Sequence, residues 1–247
     1  MISARSFSVS LLGAAFLSLA SCNNSEQKTN ESTGDSTASS SNTTAQTTPA
    51  STIVTTPQNI LAVMHKVANY SKWKALYDGH DTARVAAGLH NYVIGRGASD
   101  SNMVLVALKV DDTTKAKAFS KDPGLKQAMQ KGGVVGTPTI ALVTMVYQDT
   151  AQISTSLRVS SMIMVKDWDA FEKNFKDGEQ ERKDNGIAIR AYGHDASDNH
   201  KVRIVSALID SAKAMAYYKS DAIKKRMADG GVVGQPNRFF YHVVQRY

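Results

Sequence analysis

Gly132-Gly133-Val134-Val135-Gly136-Thr137-Pro138 returns 98 residues later as Gly230-Gly231-Val232-Val233-Gly234-Gln235-Pro236. Working outward at the same offset, Gly95 with Ala98-Ser99-Asp100 falls on Gly193 with Ala196-Ser197-Asp198, and Arg84 and Gly88 fall on Arg182 and Gly186, without a gap. A period of this length is the size of a small domain rather than of a solenoid unit, so the chain carries a duplicated domain. The repeated motif lacks the Lys-Ser/Thr that a phosphate-cradling loop needs, and its paired glycines read as a helix end followed by a turn.

Each copy reads as β-α-β-β-α-β, an α+β pattern of two tandem ferredoxin-like units. In the first, 60–67 is an apolar strand, and 69–87 carries Tyr70, Trp73, Tyr77, His80 and Arg84 at spacings of three and four, one stripe of a helix closed by Gly88. Two strands, 89–96 and 102–110, flank a Gly- and Asp-containing turn. Asp112 caps a second helix, which Asp122-Pro123 interrupts and restarts with Leu125 and Met129 inward; 139–147 is the fourth strand. Ser220 takes the place of Asp122 in the second copy. The strands are read as apolar on both faces, one for the helices and one for a partner sheet.

Ahead of the repeats the composition changes twice. Arg5 followed by the apolar stretch Phe7–Leu19 has the form of an export signal, too short to span a bilayer comfortably. Leu19-Ala20-Ser21-Cys22 resembles the lipobox of bacterial lipoproteins, which implies cleavage before Cys22 and lipidation of its thiol. Cys22 is the sole cysteine of the chain, so no disulfide framework exists within it. From Asn23 to Pro57 the chain is rich in Ser, Thr, Asn and Gln and cannot bury enough surface to offset its conformational entropy. The expected organisation is a signal peptide (1–21), a flexible tether (22–57), and two α+β units (58–149 and 157–247). The expected location is the bacterial cell envelope, with the protein held to a membrane by two acyl chains on Cys22. The formal net charge of +7 is spread without a dense basic cluster interleaved with aromatics, which reads as a solvated surface and not as a nucleic-acid site.

The run His65-Lys66-Val67, Tyr70, Trp73-Lys74, Tyr77-Asp78, His80, Arg84 and Gly88 continues to Ala116, Phe119, Leu125, Met129 and the Gly-Val-x-Gly-x-Pro turn. It resembles the dimeric α+β barrel superfamily, and within it the antibiotic biosynthesis monooxygenase-like group. The resemblance covers both copies and is stronger in the first. It implies that two βαββαβ units close one barrel, with a pocket in each unit between sheet and helices. A tandem copy implies a pseudo-dimer built by one chain.

Polar residues on the apolar stripes mark the candidate site, because buried polar groups need partners or a ligand. His65, His80 and Arg84 are the candidate catalytic residues, and Trp73, Tyr77 and Tyr92 the candidate ligand-binding ones. At the aligned positions the second copy has Ile163 for His65, Gly178 for His80, and Phe171 and Phe175 for Trp73 and Tyr77. The same histidines equally suit satisfied core or rim positions, and Arg84, shared with Arg182, suits a structural ion pair at least as well as substrate binding. Two function classes stay open. One is a cofactor-independent monooxygenase-like or isomerase-like enzyme, in which a histidine takes a proton from an aromatic or enolisable substrate. The other is a module that binds a small apolar or aromatic ligand, haem included, or serves as a scaffold. The spacing of His65, His80 and His90 does not suit a metal centre, and no cofactor is expected.

Overall fold

In the computed structural model, which describes residues 51–247, a short strand β1 (Ile53–Val54) precedes the first repeat. That repeat runs β2 (Gln58–Val67), α1 (Tyr70–Gly79), α2 (Asp81–Ala86), β3 (Leu89–Gly97), β4 (Met103–Val110), α3 (Thr113–Ser120), α4 (Pro123–Lys131) and β5 (Val134–Asp149). The second repeats the order: β6 (Leu157–Val165), α5 (Trp168–Asp177), α6 (Glu179–Asp184), β7 (Ile187–Asp195), β8 (Lys201–Leu208), α7 (Ser211–Tyr217), α8 (Asp221–Asp229) and β9 (Val232–Arg246).

Side-chain caps set the helix starts. Asn69 accepts from the Lys72 amide, Asp112 from Thr114 and Lys115, and Asp122 from Leu125; Asp167, Asp210 and Ser220 do the same in the second copy. Each such cap is worth about 1 kcal/mol.

The strands lie in the order β5-β2-β4-β3 in one unit and β9-β6-β8-β7 in the other. The units join edge to edge: β3 pairs with β9, and β5 pairs with β7. The eight strands therefore close a barrel within one chain, which leaves neither unit an open sheet edge. Alternation along β2 shows the two faces. Leu61, Val63 and Val67 pack outward with Trp73, Leu89 and Val106, whereas Ile60 packs inward with Val143 and Met145.

Four details depart from the sequence reading. The helix read as 69–87 breaks at His80, which has φ −93° and ψ 10° and serves as the C-cap of α1 and the N-cap of α2. The fourth strand starts at Val134, not at 139, since the motif's glycines supply a bulge and not only a turn. The inner faces are not uniformly apolar: Arg158, Ser160 and Arg190 are buried. The end of the segment read as tether forms β1, with Ile53 opposite Asp149 and Val54 opposite Gln148. The signal and Cys22 lie outside the described residues.

Candidate functional site

Between the outer face of the first unit's sheet and its four helices lies a cavity of ≈ 80 Å³. His65, Trp73, Tyr77, His80 and Arg84 all line it. The repeated motif helps to make it. Opposite His65 the β2–β5 pairing jumps from Met64–Thr139 to Lys66–Val135, so Gly136-Thr137-Pro138 bulges away from the strand. Gly136 takes φ +72°, a conformation that suits glycine. The second copy bulges in the same place, opposite Ile163, with Gly234 at φ +72°.

The five residues differ in what they leave free. His65 is 5% exposed, and neither ring nitrogen has a hydrogen-bond partner among the described residues. Burial penalises the imidazolium and pushes the pKa of His65 down to about 4, so the ring is neutral at pH 7. Trp73, 4% exposed, stands 5.4 Å from it, ring centre to ring centre, and stacks on Tyr77 at 5.0 Å. His80, at the break between α1 and α2, is exposed at the rim, which corrects its reading as part of a buried stripe.

Tyr77 and Arg84 are already committed. The Tyr77 hydroxyl donates to Asn91 Oδ1 at 2.5 Å, Asn91 Nδ2 donates to Asp81 Oδ1 at 2.6 Å, and Arg84 donates to the same oxygen at 3.1 Å. Arg84 also donates to the Tyr77 carbonyl at 2.7 Å and lies 3.8 Å over the Tyr77 ring. Arg182 repeats this on Phe175, donating to its carbonyl at 2.6 Å and lying 3.9 Å over its ring. Arg84 is thus a clasp across the helix break, which Arg182 repeats in the second copy, and its Nε has no partner among the described residues. Tyr92 does not join the group: a bulge in β3 between Asn91 and Val93 places it in the barrel interior.

The matching space in the second unit, also ≈ 80 Å³, is lined by Ile163, Phe171 and Phe175 where the first has His65, Trp73 and Tyr77. Volume does not separate the two; the unpaired imidazole does. Among the described residues no group of three or more His, Cys, Asp or Glu is placed to hold a metal ion, and no helix is long and apolar enough to cross a membrane. Sequence reasoning missed the barrel's inner arginines, Arg158, Arg190 and Arg203. Their signal was available: each is a charge inside a strand, flanked by apolar residues.

No protein-family model and no curated protein matches the sequence. Among solved structures, the chain is similar to a candidate monooxygenase from Fusobacterium nucleatum subsp. nucleatum, with 13% identity over 76% of this chain and 93% of that one and a TM-score of 0.51. It is also similar to an anthrone oxidase-like protein, with 13% identity over 79% of this chain and 95% of that one and a TM-score of 0.55. At this identity the likeness gives the fold. It is an α+β barrel closed by two tandem ferredoxin-like units, both supplied by one chain.

Proposed function

We propose that the first unit's cavity binds a small aromatic or enolisable molecule, anchored by a hydrogen bond to His65. The observation that carries this is the buried imidazole with both nitrogens unpaired. Leaving a buried polar group unsatisfied costs roughly 1–3 kcal/mol, a cost that a ligand offering one donor or acceptor removes. The remaining walls, Leu61, Val63, Trp73, Val106 and Met129, suit an apolar ring. At ≈ 80 Å³ the cavity is below the ~300 Å³ of ordinary ligand pockets, so the ligand is no larger than a single ring lodged partly in the mouth beside Leu76 and His80. Titrating the purified chain with simple phenols and quinols tests the reading by quenching of Trp73 fluorescence. His65→Leu should abolish the response, and an unchanged response would refute the assignment.

A second reading comes from the two neighbours' names, a candidate monooxygenase and an anthrone oxidase-like protein. In it, His65 takes the proton of a bound enolisable substrate. A base with a pKa of about 4 is poorly matched to a phenol near 10, so binding is the better supported role. Oxygen consumption with a quinol, lost in His65→Leu, would instead favour the enzyme.

For location, the proposed mature protein begins at acylated Cys22 and is tethered to a membrane of the bacterial envelope. Cys22→Ser should end incorporation of a fatty-acid probe and release soluble protein; persistent labelling would sink the lipobox reading.

A further inference from the structure

The barrel interior holds a second chamber, separate from the His65 cavity and independent of its proposed role. It comprises two adjoining spaces of ≈ 80 and ≈ 120 Å³ that share Ala62, Leu105, Ser160 and Arg203. Small side chains keep it hollow. Ala107, Ala62 and Ala141 are register partners across β4, β2 and β5, where the second unit has Val205, Ser160 and Phe239.

The chamber's charge is one-sided. Arg158, Arg190, Arg203 and Arg246 line it, against the one carboxylate of Asp149. Arg190 is paired with that carboxylate at 2.5 Å. Arg158, 3% exposed, donates only to the carbonyls of Thr155 and Leu157, and Arg203 donates to the Ser160 hydroxyl at 3.0 Å. The Nε atoms of Arg158, Arg190 and Arg203 are all buried without a partner among the described residues. Carbonyl and hydroxyl oxygens satisfy hydrogen bonds but do not neutralise a guanidinium, which stays protonated in proteins. An uncompensated buried charge costs several kcal/mol, so a fold that buries Arg158 beside a hollow, with the half-buried Arg203 facing the same space, favours a counter-charge there.

We propose that the barrel interior is a binding site for a compact oxyanion, a di- or tricarboxylate or a phosphate, held by Arg158 and Arg203 with Ser160 beside them. Planar guanidinium forks match both oxyanion types in a bidentate fashion. The alanine row supplies the volume, and the excess of guanidinium over carboxylate in the lining favours an anion.

The test uses the full chain, with thermal unfolding and calorimetric titration against inorganic phosphate and against citrate, and with chloride at matched ionic strength as control. The expected result is stabilisation and saturable binding by one of them beyond chloride; which one responds separates phosphate from carboxylate. Arg158→Met and Arg203→Met should each weaken binding roughly tenfold or more, the share of one charge-assisted contact, without lowering the anion-free unfolding temperature. Ala62→Leu should block binding by filling the hollow with every arginine intact, and it decides the matter if an arginine variant does not fold. His65→Leu should leave the response unchanged. No stabilisation beyond chloride would overturn the proposal. So would arginine variants that lower the unfolding temperature while keeping the full anion response, for the arginines would then serve only to hold the chain at Thr155–Ser160.

Discussion

His65 and Trp73 face each other across the first unit's cavity at 5.4 Å, their rings tilted by 56°, and the indole offers the imidazole packing but fills neither of its nitrogens' hydrogen-bonding needs. The pair fixes how stability depends on pH. Above about 6.5 the ring is neutral in folded and unfolded chains and contributes nothing to the dependence. Between 6.5 and about 4 the unfolded chain takes up a proton that the folded one refuses, so stability falls as pH drops, by about 3 kcal/mol in all. In His65→Leu this part of the slope should vanish, and stability at pH 7 should rise by roughly 1 kcal/mol or more as the unsatisfied group is removed. Urea unfolding of both proteins across pH 4–7 checks it. Parallel curves would mean that the ring is not desolvated.

The clasp made by Arg84 and Arg182 predicts matched losses in the two units. Each bonds a carbonyl at the end of a helix and covers the aromatic ring above it. Arg84→Ala and Arg182→Ala should each destabilise the protein by about 1–3 kcal/mol. The effects should add, since no partner is shared. Arg84→Ala should leave ligand affinity within a few fold in protein that remains folded. A large loss of affinity with unaltered stability would return Arg84 to the binding site.

The repeated βαββαβ unit was legible in the sequence because its determinants are local and occur twice: the caps at Asp112 and Asp122, the glycines at 132–133, and the strand periodicity; closure into a barrel was implied only by the family resemblance. His65 was legible as a polar residue on an apolar face. What was not legible depends on contacts between distant segments. Nothing near Arg84 in sequence says that its donors end on Tyr77 and Asp81. The β3 bulge that turns Tyr92 inward is a register event with β4. His80 continues the helical spacing on paper, but the helix does not continue through it.

Edge pairing between the units predicts how half-chains behave. Alone, residues 51–149 would expose the edges of β3 and β5 that β9 and β7 cover in the whole chain, together with the inward face of the sheet. The expected product is a dimer or an aggregate. Sedimentation of the separately expressed halves, and co-expression to recover a 1:1 complex, measure it; a stable monomeric half would show that the seams contribute little.

Gly95 and Gly193, equivalent by the repeat, sit one at each seam, and they predict different responses to the same substitution. A Cβ on Gly95 would come 2.3 Å from Cδ2 of Tyr241, a side chain that is 3% exposed and stacked on Phe239. A Cβ on Gly193 would come 2.0 Å from the backbone oxygen of Thr144. A ring can turn or be removed, whereas a strand's carbonyl moves only if the β5–β7 ladder opens. Gly95→Ala should therefore cost about 1–3 kcal/mol, as overpacking does. Tyr241→Leu in the same chain should recover part of it, a coupling that a double-mutant cycle measures. Gly193→Ala should cost more than Gly95→Ala, with no rescue from any side-chain deletion, and should raise amide exchange at Val143–Gln148 before global unfolding. Equal costs at the two glycines would show that the seams yield alike and that the backbone contact at Thr144 does not govern closure.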